Sequence, residues 1–177
     1  MLIRLSNKLQ SDSIVDGVGM RTVIWTQGCS HNCLGCHNPQ THSFNSGVLY
    51  EVDEIKKQID LLKKQDGITF SGGDPFYQVE PCLEIARYCR EKGYNIWCYT
   101  GFIYEDLLKM GNKVLQFLKN IDVLVDGKFD ISQKSYNLKY KGSYNQRIID
   151  VQRSLKENKV ILLEEQKKEV KKEKIYI

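Results

Sequence analysis

The sequence predicts an α/β fold in which a parallel sheet forms a partial, open (β/α) barrel with helices outside it. Short apolar runs alternate with segments of helical periodicity along the chain, a pattern typical of parallel strands joined by crossover helices. The length of 177 residues excludes a closed eight-stranded barrel, which takes about 250 residues. The chain has no internal repeat that would indicate a solenoid or a propeller.

Four short apolar runs are predicted strands. They cover residues 23–26, 68–70, 94–100 and 123–126, and residues 160–163 suggest a fifth strand. Functional candidates stand at or just after the ends of the first four strands: Cys29, Gly72, Thr100 and Asp126. Because the carboxyl ends of parallel strands lie on one rim of the sheet, we expect these residues to meet there.

Three segments are predicted helices. Residues 52–64 place apolar side chains on one face, residues 78–92 carry a second apolar stripe that ends before Gly93, and residues 104–119 contain helix interrupted near Gly111. Some cysteines and both tryptophans fall on these apolar stripes or in the predicted strands, and we expect them to be core residues: Cys82, Cys89, Cys98, Trp25 and Trp97.

Composition and charge indicate an ordinary globular protein. Hydrophobic residues make up 41% of the chain and charged residues 27%. We assign one domain to residues 1–155 and regard residues 156–177 as a charged tail of that domain. The tail mixes seven Lys with five Glu, which is typical of a solvated face, so we expect no nucleic-acid partner despite the net charge of +4.

The amino-terminal sequence and the cysteine content indicate a compartment. No apolar run is long enough for a signal peptide or a membrane span, so we expect a cytoplasmic protein without a membrane partner. Thiols stay reduced in the cytoplasm. The six cysteines therefore indicate metal or redox chemistry in preference to disulfides.

Three cysteines form a ligand motif directly after the first predicted strand. Cys29, Cys33 and Cys36 have the spacing C-x3-C-x2-C, which lets three thiolates surround one metal centre. Thiolates suit zinc or iron–sulfur clusters. Zinc needs a fourth protein ligand, for which the nearby candidates are histidines: His31, His37 and His42. A four-iron cluster with three cysteine ligands instead leaves one iron open for substrate chemistry. An electron-transfer ferredoxin lacks support, because no fourth cysteine has suitable spacing.

The motif and six other segments resemble a known family. C-x3-C-x2-C after a strand resembles the signature of the radical S-adenosylmethionine enzymes. Other segments resemble the activating enzymes of glycyl-radical proteins and the radical family's later strand ends: residues 16–21 (DGVGMR), 36–39 (CHNP), 70–75 (FSGGDP), 99–101 (YTG) and 125–127 (VDG). Residues 141–150 (KGSYNQRIID) resemble one subgroup, the activating proteins of anaerobic (class III) ribonucleoside-triphosphate reductases.

The resemblance implies a cofactor pair and a reaction. It implies a 4Fe–4S cluster that donates one electron to S-adenosylmethionine, giving methionine and a 5′-deoxyadenosyl radical. This radical takes hydrogen from a glycine of the reductase, and a flavodoxin-like protein supplies the electron. The alternatives are an activase of another glycyl-radical enzyme or a small radical synthase and, in another class, a zinc-stabilised binding module.

The resemblance also implies roles for individual residues. Cys29, Cys33 and Cys36 hold the cluster, and Gly35, Cys36 and His37 lie where the family's backbone contacts adenine. Gly72 and Gly73 allow close approach to a ligand, while Asp74 holds an ammonium group or fixes the turn. The remaining candidates for contact with the cofactor follow the later strands: Thr100, Asp126 and Lys128. Asp126 and Lys128 also fit an ordinary Asp-Gly turn at the surface.

Overall fold

The most apolar strands form the centre of an open sheet in the computed structural model, which describes residues 1–163. The strands are β1 (Leu2–Leu5), β2 (Gln10–Ser13), β3 (Arg21–Thr26), β4 (Val48–Glu51), β5 (Gly67–Gly72), β6 (Asn95–Tyr99), β7 (Val123–Asp126) and β8 (Arg147–Asp150). The helices are α1 (Val52–Asp60), α2 (Val79–Glu91), α3 (Tyr104–Leu107), α4 (Asn112–Leu118) and α5 (Val151–Glu157).

The sheet is parallel at its centre and antiparallel at both ends. Its order is β4-β1-β3-β5-β6-β7-β8, with β2 also paired to β3. The central strands β3, β5, β6 and β7 are parallel, whereas β1, β2, β4 and β8 run antiparallel to their neighbours. The expected α/β fold with an open, centrally parallel sheet is therefore confirmed, and the antiparallel edge strands are an addition to it.

The two faces of the sheet carry different cores. On one face, strand residues such as Ile24 and Phe70 pack in a large cluster with α1, α2 and α4. On the other face, Trp97, Val125 and Ile148 form a smaller cluster. This division follows from the strand period of two, because neighbouring residues such as Trp97 and Cys98 point to opposite faces.

The predicted helices are present with small differences in length. Helix α1 ends at Asp60, four residues earlier than expected; Leu61 is 79% exposed, while Leu62 packs against the core from beyond the helix end. The expected break in residues 104–119 is confirmed, since Gly111 separates α3 from α4 with a φ of 100°. The expected burial of the core cysteines is also confirmed: Cys82, Cys89 and Cys98.

A buried arginine closes the end of the sheet opposite the cysteine motif. The Arg21 side chain is 1% exposed and donates to oxygen atoms on β5 and β6, including Thr69 Oγ1 at 2.7 Å and the Asn95 carbonyl at 2.9 Å. Its guanidinium lies over Trp97, and burial lowers its pKa to about 10. Arg21 thus joins the first residues of three parallel strands.

The carboxyl-terminal part of the described chain returns to the sheet. Helix α5 runs across residue 155, where we placed the end of the domain, and ends at Glu157. Ile161 and Leu163 then hydrogen-bond to β8, where we expected a fifth strand, and Leu162 forms a single bridge to Ile149. The rest of the predicted charged tail, residues 164–177, lies outside the described residues. Within residues 1–163 no helix has the length and apolar character needed to cross a membrane.

Candidate active site

A cavity of about 680 Å³ lies beyond the carboxyl ends of the parallel strands. The cysteine loop after β3, the glycines after β5 and the loops after β6 and β7 all contribute to its wall. The expected convergence on one rim is therefore observed for the cysteine motif and for three of the other candidates: Gly72, Gly73 and Thr100. His37 also lines the cavity.

The cysteine loop brings three thiols to the same cavity. Cys29, Cys33 and Cys36 all line it, and each is partly buried. The backbone folds back on itself where Cys36 N–H donates to the Cys33 carbonyl at 3.2 Å. The Asn38 N–H donates to Cys36 Sγ at 3.4 Å, a contact that suits a thiolate carrying negative charge. Burial raises the pKa of the Cys29 thiol to about 11, and a bound metal reverses this effect because the ligand is then the thiolate.

The glycine loop after β5 lies directly against the base of the cysteine loop. Gly73 N–H donates to the Thr26 carbonyl at 2.8 Å, and Asp74 N–H donates to the Gly28 carbonyl at 3.0 Å. A Cβ at Gly72 would lie 2.5 Å from the Thr26 carbonyl oxygen, and one at Gly73 would lie 2.5 Å from that of Gly28. Gly72 also has a φ of 99°. Side chains at these two positions would push the loops apart.

Asp74 is buried at the junction of three loops and does not line the cavity. Its Oδ2 accepts from His31 Nε2 at 2.6 Å, from Thr100 Oγ1 at 2.8 Å and from Gly101 N–H at 2.9 Å. Its Oδ1 accepts from Phe76 N–H at 2.9 Å. Of the two functions considered for this carboxylate, these contacts favour fixing the turn.

Asp126 is also directed away from the cavity. Its carboxylate accepts from Arg147 Nε at 2.9 Å and from Tyr104 N–H at 2.8 Å. Arg147 in turn holds both oxygens of Glu105 at 2.9 and 2.6 Å, and these bonds raise the arginine pKa. Lys128 is exposed and, like Gly35, does not line the cavity. Gly35 has a φ of 73° and lies under Ile131, so it supports the shape of the cysteine loop.

Several cavity residues were not among the predicted site residues. Asp16 belongs to the DGVGMR segment and Gln146 to the NQR segment, so the motifs had already marked their positions. Trp25 was expected in the core but is half-buried and lines the cavity. Tyr99 belongs to the YTG segment, whereas Tyr140 had no local signal, because it reaches the cavity from a distant loop.

The residues fit a cluster together with S-adenosylmethionine. Cofactor pockets typically have volumes of about 300–1,000 Å³, a range that includes this cavity. Its wall combines three soft thiol ligands, an N–H donor to Cys36 sulfur and a glycine-lined side without Cβ atoms. His31, one candidate for a fourth zinc ligand, instead holds Asp74.

Comparisons with known proteins agree with this geometry. Residues 15–149 match the family described as a 4Fe-4S single cluster domain. The anaerobic ribonucleoside-triphosphate reductase-activating protein of Haemophilus influenzae is 38% identical over 146 residues, which cover 76% of this chain and 90% of the relative. The protein of the same name from Enterobacteria phage T4 is 34% identical over 140 residues, covering 76% of this chain and 86% of the relative. The chain belongs to this family of activating proteins.

Membership of the activating-protein family defines the class of chemistry. A pyruvate formate-lyase-activating enzyme from Clostridium pasteurianum is also related, at 33% identity over 131 residues, but the match covers 69% of this chain and only 55% of that enzyme. The protein is thus a radical S-adenosylmethionine oxidoreductase of the glycyl-radical activating type, with a 4Fe–4S cluster and S-adenosylmethionine as cofactors. A zinc-stabilised module does not account for these relationships.

Proposed function

We propose that this protein activates an anaerobic ribonucleoside-triphosphate reductase by generating a radical on one of its glycines. The observation that carries the proposal is the convergence of Cys29, Cys33 and Cys36 with the Gly72–Gly73 loop on one cavity. The chain also matches 90% of the length of a relative named for this reaction, against 55% for the pyruvate formate-lyase activase. The reductase is therefore the better-supported target.

The proposed roles divide the cavity between two cofactors. Cys29, Cys33 and Cys36 ligate three irons, and the bound cluster supplies one electron that cleaves S-adenosylmethionine to methionine and a 5′-deoxyadenosyl radical. Gly72 and Gly73 let their backbone approach the cofactor closely, because no Cβ intervenes. His37 and Thr100 contribute wall surface beside them. The protein residues thus bind and orient the reacting groups.

The other candidate residues act in this proposal through the residues that they hold. Asp74 fixes the cysteine loop through His31, and Gly35 provides the left-handed turn before Cys36. Asp126 secures the loop after β7 through Arg147. Lys128 is exposed within that loop, where it can meet the cofactor carboxylate or the partner.

The target glycine enters through the open side of the cavity. Ile14 and Val15 line the cavity yet are 70% and 71% exposed. Exposed apolar side chains at a cavity mouth are typical of a surface that a partner covers. A segment of the reductase that covers them excludes water while its glycine reaches the radical.

Electron supply is the second partner interaction. Leu34, between Cys33 and Cys36, is 76% exposed, so the cysteine loop reaches the protein surface. A flavodoxin-like donor, as the family resemblance implies, approaches the cluster at this loop. The cytoplasm is the compartment in which we place this reaction, because the thiols must stay reduced before they bind iron.

The test uses protein purified and reconstituted without oxygen. Iron and sulfide content, the EPR spectrum of the reduced cluster with and without S-adenosylmethionine, and 5′-deoxyadenosine formation are measured first. We expect about four irons per chain and a spectrum that the cofactor alters. Cys33→Ala is expected to lose most of the iron, whereas Cys89→Ala, a matched change in the core, retains it. A colourless protein with one zinc ion would contradict the proposal.

The target is tested in a second step. The reconstituted protein is mixed with a class III reductase or with pyruvate formate-lyase, and the glycyl-radical EPR signal is quantified. We expect a signal on the reductase and little or none on the lyase. The reverse preference would assign the protein to the alternative activase class.

A further inference from the structure

One wall of the cavity is formed by an irregular segment that we call the strap, residues 134–142. Leu138, Lys139, Tyr140, Lys141 and Gly142 of the strap all line the cavity. The strap contains no helix or strand of its own, and a single bridge between Lys134 and Ser143 joins its ends. Backbone hydrogen bonds at its ends, such as Ser135 N–H to the Gly142 carbonyl at 3.3 Å, and side-chain contacts therefore hold it over the cavity.

Gln146 makes the central contact with the strap. Its Oε1 accepts from Gly142 N–H at 2.8 Å and from Ser143 N–H at 3.2 Å, while its Nε2 donates to the Gly127 carbonyl at 2.9 Å. One carboxamide thus joins the end of the strap to the loop that follows β7. Gln146 itself lines the cavity, but its oxygen and nitrogen are bonded to backbone groups of the protein.

The neighbours of Gln146 make parallel contacts that do not reach the strap. Asn145 Nδ2 donates to the Lys128 carbonyl at 2.8 Å, and Arg147 binds Asp126. Three consecutive side chains therefore hold the last residue of β7 and the two residues after it, in reverse order, and the contacts of Gln146 and Asn145 extend the β7–β8 pairing beyond the strands. Of these three side chains, Gln146 is the one that hydrogen-bonds to Gly142 and Ser143 at the end of the strap.

The strap also contacts the cysteine loop. A Cβ at Gly142 would lie 3.0 Å from His37 Cε1 and 2.9 Å from the Phe129 ring, so the strap backbone is packed closely against both side chains. His37 and Phe129 have ring centroids 4.9 Å apart. Because His37 follows Cys36 directly, a displaced strap would alter the surface beside a cluster ligand.

We infer that Gln146 is a positioning residue that holds the strap in place as a wall of the S-adenosylmethionine site. The inference rests on the proposed function, which assigns that cofactor to the cavity. Gln146 acts through Gly142 and Ser143, and its loss leaves the cysteine ligands in place. The expected result is weaker cofactor binding by a protein that still contains its cluster.

The experiment compares two changes at adjacent positions. Gln146→Met keeps a long side chain but removes the oxygen and nitrogen of the carboxamide. Asn145→Leu likewise removes the carboxamide of the neighbouring residue while keeping a side chain of similar size. Both holoproteins are reconstituted without oxygen, and their iron content and melting temperature are measured. Affinity for S-adenosylmethionine is determined by equilibrium dialysis. Trypsin cleavage after Lys139 and Lys141 is followed by mass spectrometry, with and without the cofactor.

We expect Gln146→Met to raise the cleavage rate at the strap and to weaken cofactor binding, each by roughly tenfold, since two or three backbone hydrogen bonds are lost. Asn145→Leu should leave both values near those of the wild type. S-adenosylmethionine should slow cleavage of the wild-type strap, because local opening controls access for the protease. If Gln146→Met does not fold, Gln146→Glu, which retains the acceptor for Gly142 and Ser143 but places an oxygen against the Gly127 carbonyl, is expected to show an effect in the same direction.

Two outcomes would overturn the inference. Equal effects of Gln146→Met and Asn145→Leu would show general loosening of the loops, with no particular role for Gln146. Faster cleavage with unchanged cofactor affinity would show that the strap is not a wall of the cofactor site. If the wild-type holoprotein binds no S-adenosylmethionine, the proposed function itself fails, and the inference fails with it.

Discussion

The His31 imidazole and the Asp74 carboxylate lie 2.6 Å apart, with their side chains 7% and 0% exposed. His31 stands between two of the cysteine ligands, and Asp74 follows the two glycines after β5. Phe102 packs edge-on against the His31 ring at 4.6 Å, and Gly101 leaves the space that the ring occupies. The two loops that face the cofactors are thereby fixed to each other from behind the cavity.

This contact predicts that Asp74→Asn weakens both folding and cofactor binding. An amide has only one acceptor oxygen, so it loses either the three bonds that Oδ2 accepts from His31, Thr100 and Gly101 or the bond that Oδ1 accepts from Phe76 N–H, and its NH2 group then faces a donor. We expect the free energy of unfolding to fall by roughly 2–3 kcal/mol, the usual value for buried hydrogen bonds to a charged group. Urea denaturation of the metal-free protein measures this change, and equilibrium dialysis measures the affinity for S-adenosylmethionine.

Asp130→Asn is the matched control for Asp74→Asn. Asp130 also begins a short 3-10 helix, and its Oδ1 accepts from Ser132 N–H at 2.9 Å, as Asp74 does from Phe76. Its helix, however, lies at an exposed position away from His31. We expect a loss below about 1 kcal/mol and unchanged cofactor affinity. Similar losses in the two variants would show that Asp74 acts only as a helix cap.

Gly72, the last residue of β5, yields a second prediction. Gly72→Ala should cost more than Gly93→Ala, although both glycines have left-handed φ angles, 99° and 83°. The shared strain costs about 1–2 kcal/mol. A Cβ at Gly72 would also lie 2.5 Å from the Thr26 carbonyl oxygen, whereas nothing lies within 4 Å at Gly93. The melting temperature and the iron content of the two variants are compared, since both share the backbone strain but only Gly72→Ala pushes two loops apart. Equal losses in the two variants would contradict our interpretation of Gly72.

The sequence predicted the centre of this fold better than its edges. Continuous apolar runs identified β3, β5, β6 and β7, because a strand buried on both faces has a strong local signal. Strands β1 and β4, at one end of the sheet, pair through contacts such as Leu2 with Glu51, nearly fifty residues apart, and their sequences LIRL and VLYE give little sign of it. Strand β8 likewise depends on partners that only the folded chain brings together.

In the site, too, local sequence signals were predictable and contacts between distant residues were not. The positions at the strand ends were predictable, and so were the cysteine ligands, because their spacing carries the chemistry. The direction of an individual side chain was not predictable. Asp126 stands at the expected rim, but an arginine 21 positions later draws its carboxylate away from the cavity. Tyr140 enters the wall from a loop without periodicity.

Arg21 yields a third prediction, since its guanidinium is buried against neutral oxygen atoms. Arg21→Lys replaces a planar group that reaches five oxygens with an ammonium that cannot span them. The uncovered carbonyls and the buried charge should lower the free energy of unfolding by about 3 kcal/mol. Urea denaturation tests this. The exposed Arg87→Lys serves as control, with an expected change below about 0.5 kcal/mol.

The pair of Glu105 and Arg147 predicts a pH-dependent contribution to stability. Hydrogen bonds from Arg147 lower the pKa of Glu105 below its usual value of 4.5. The unfolded chain therefore takes up this proton before the folded chain does, so the pair stabilises the fold above pH 4.5, and its contribution disappears as the pH falls through the lower folded-state pKa. Because the Glu105 side chain is 47% exposed, the contribution at pH 7 should not exceed about 1 kcal/mol.

Comparison of the wild type with Glu105→Gln isolates the contribution of the Glu105–Arg147 pair to the free energy of unfolding, because Asp126 keeps its bond to Arg147 in both proteins. Urea midpoints are measured at intervals from pH 7 to pH 3.5. The difference between the two proteins should be largest near neutral pH, shrink below pH 4.5 and also shrink in 1 M salt, where exposed charges are screened. A difference that grows as the pH falls would mean that Glu105 is stabilised in its protonated form, which the bidentate contact with Arg147 does not allow.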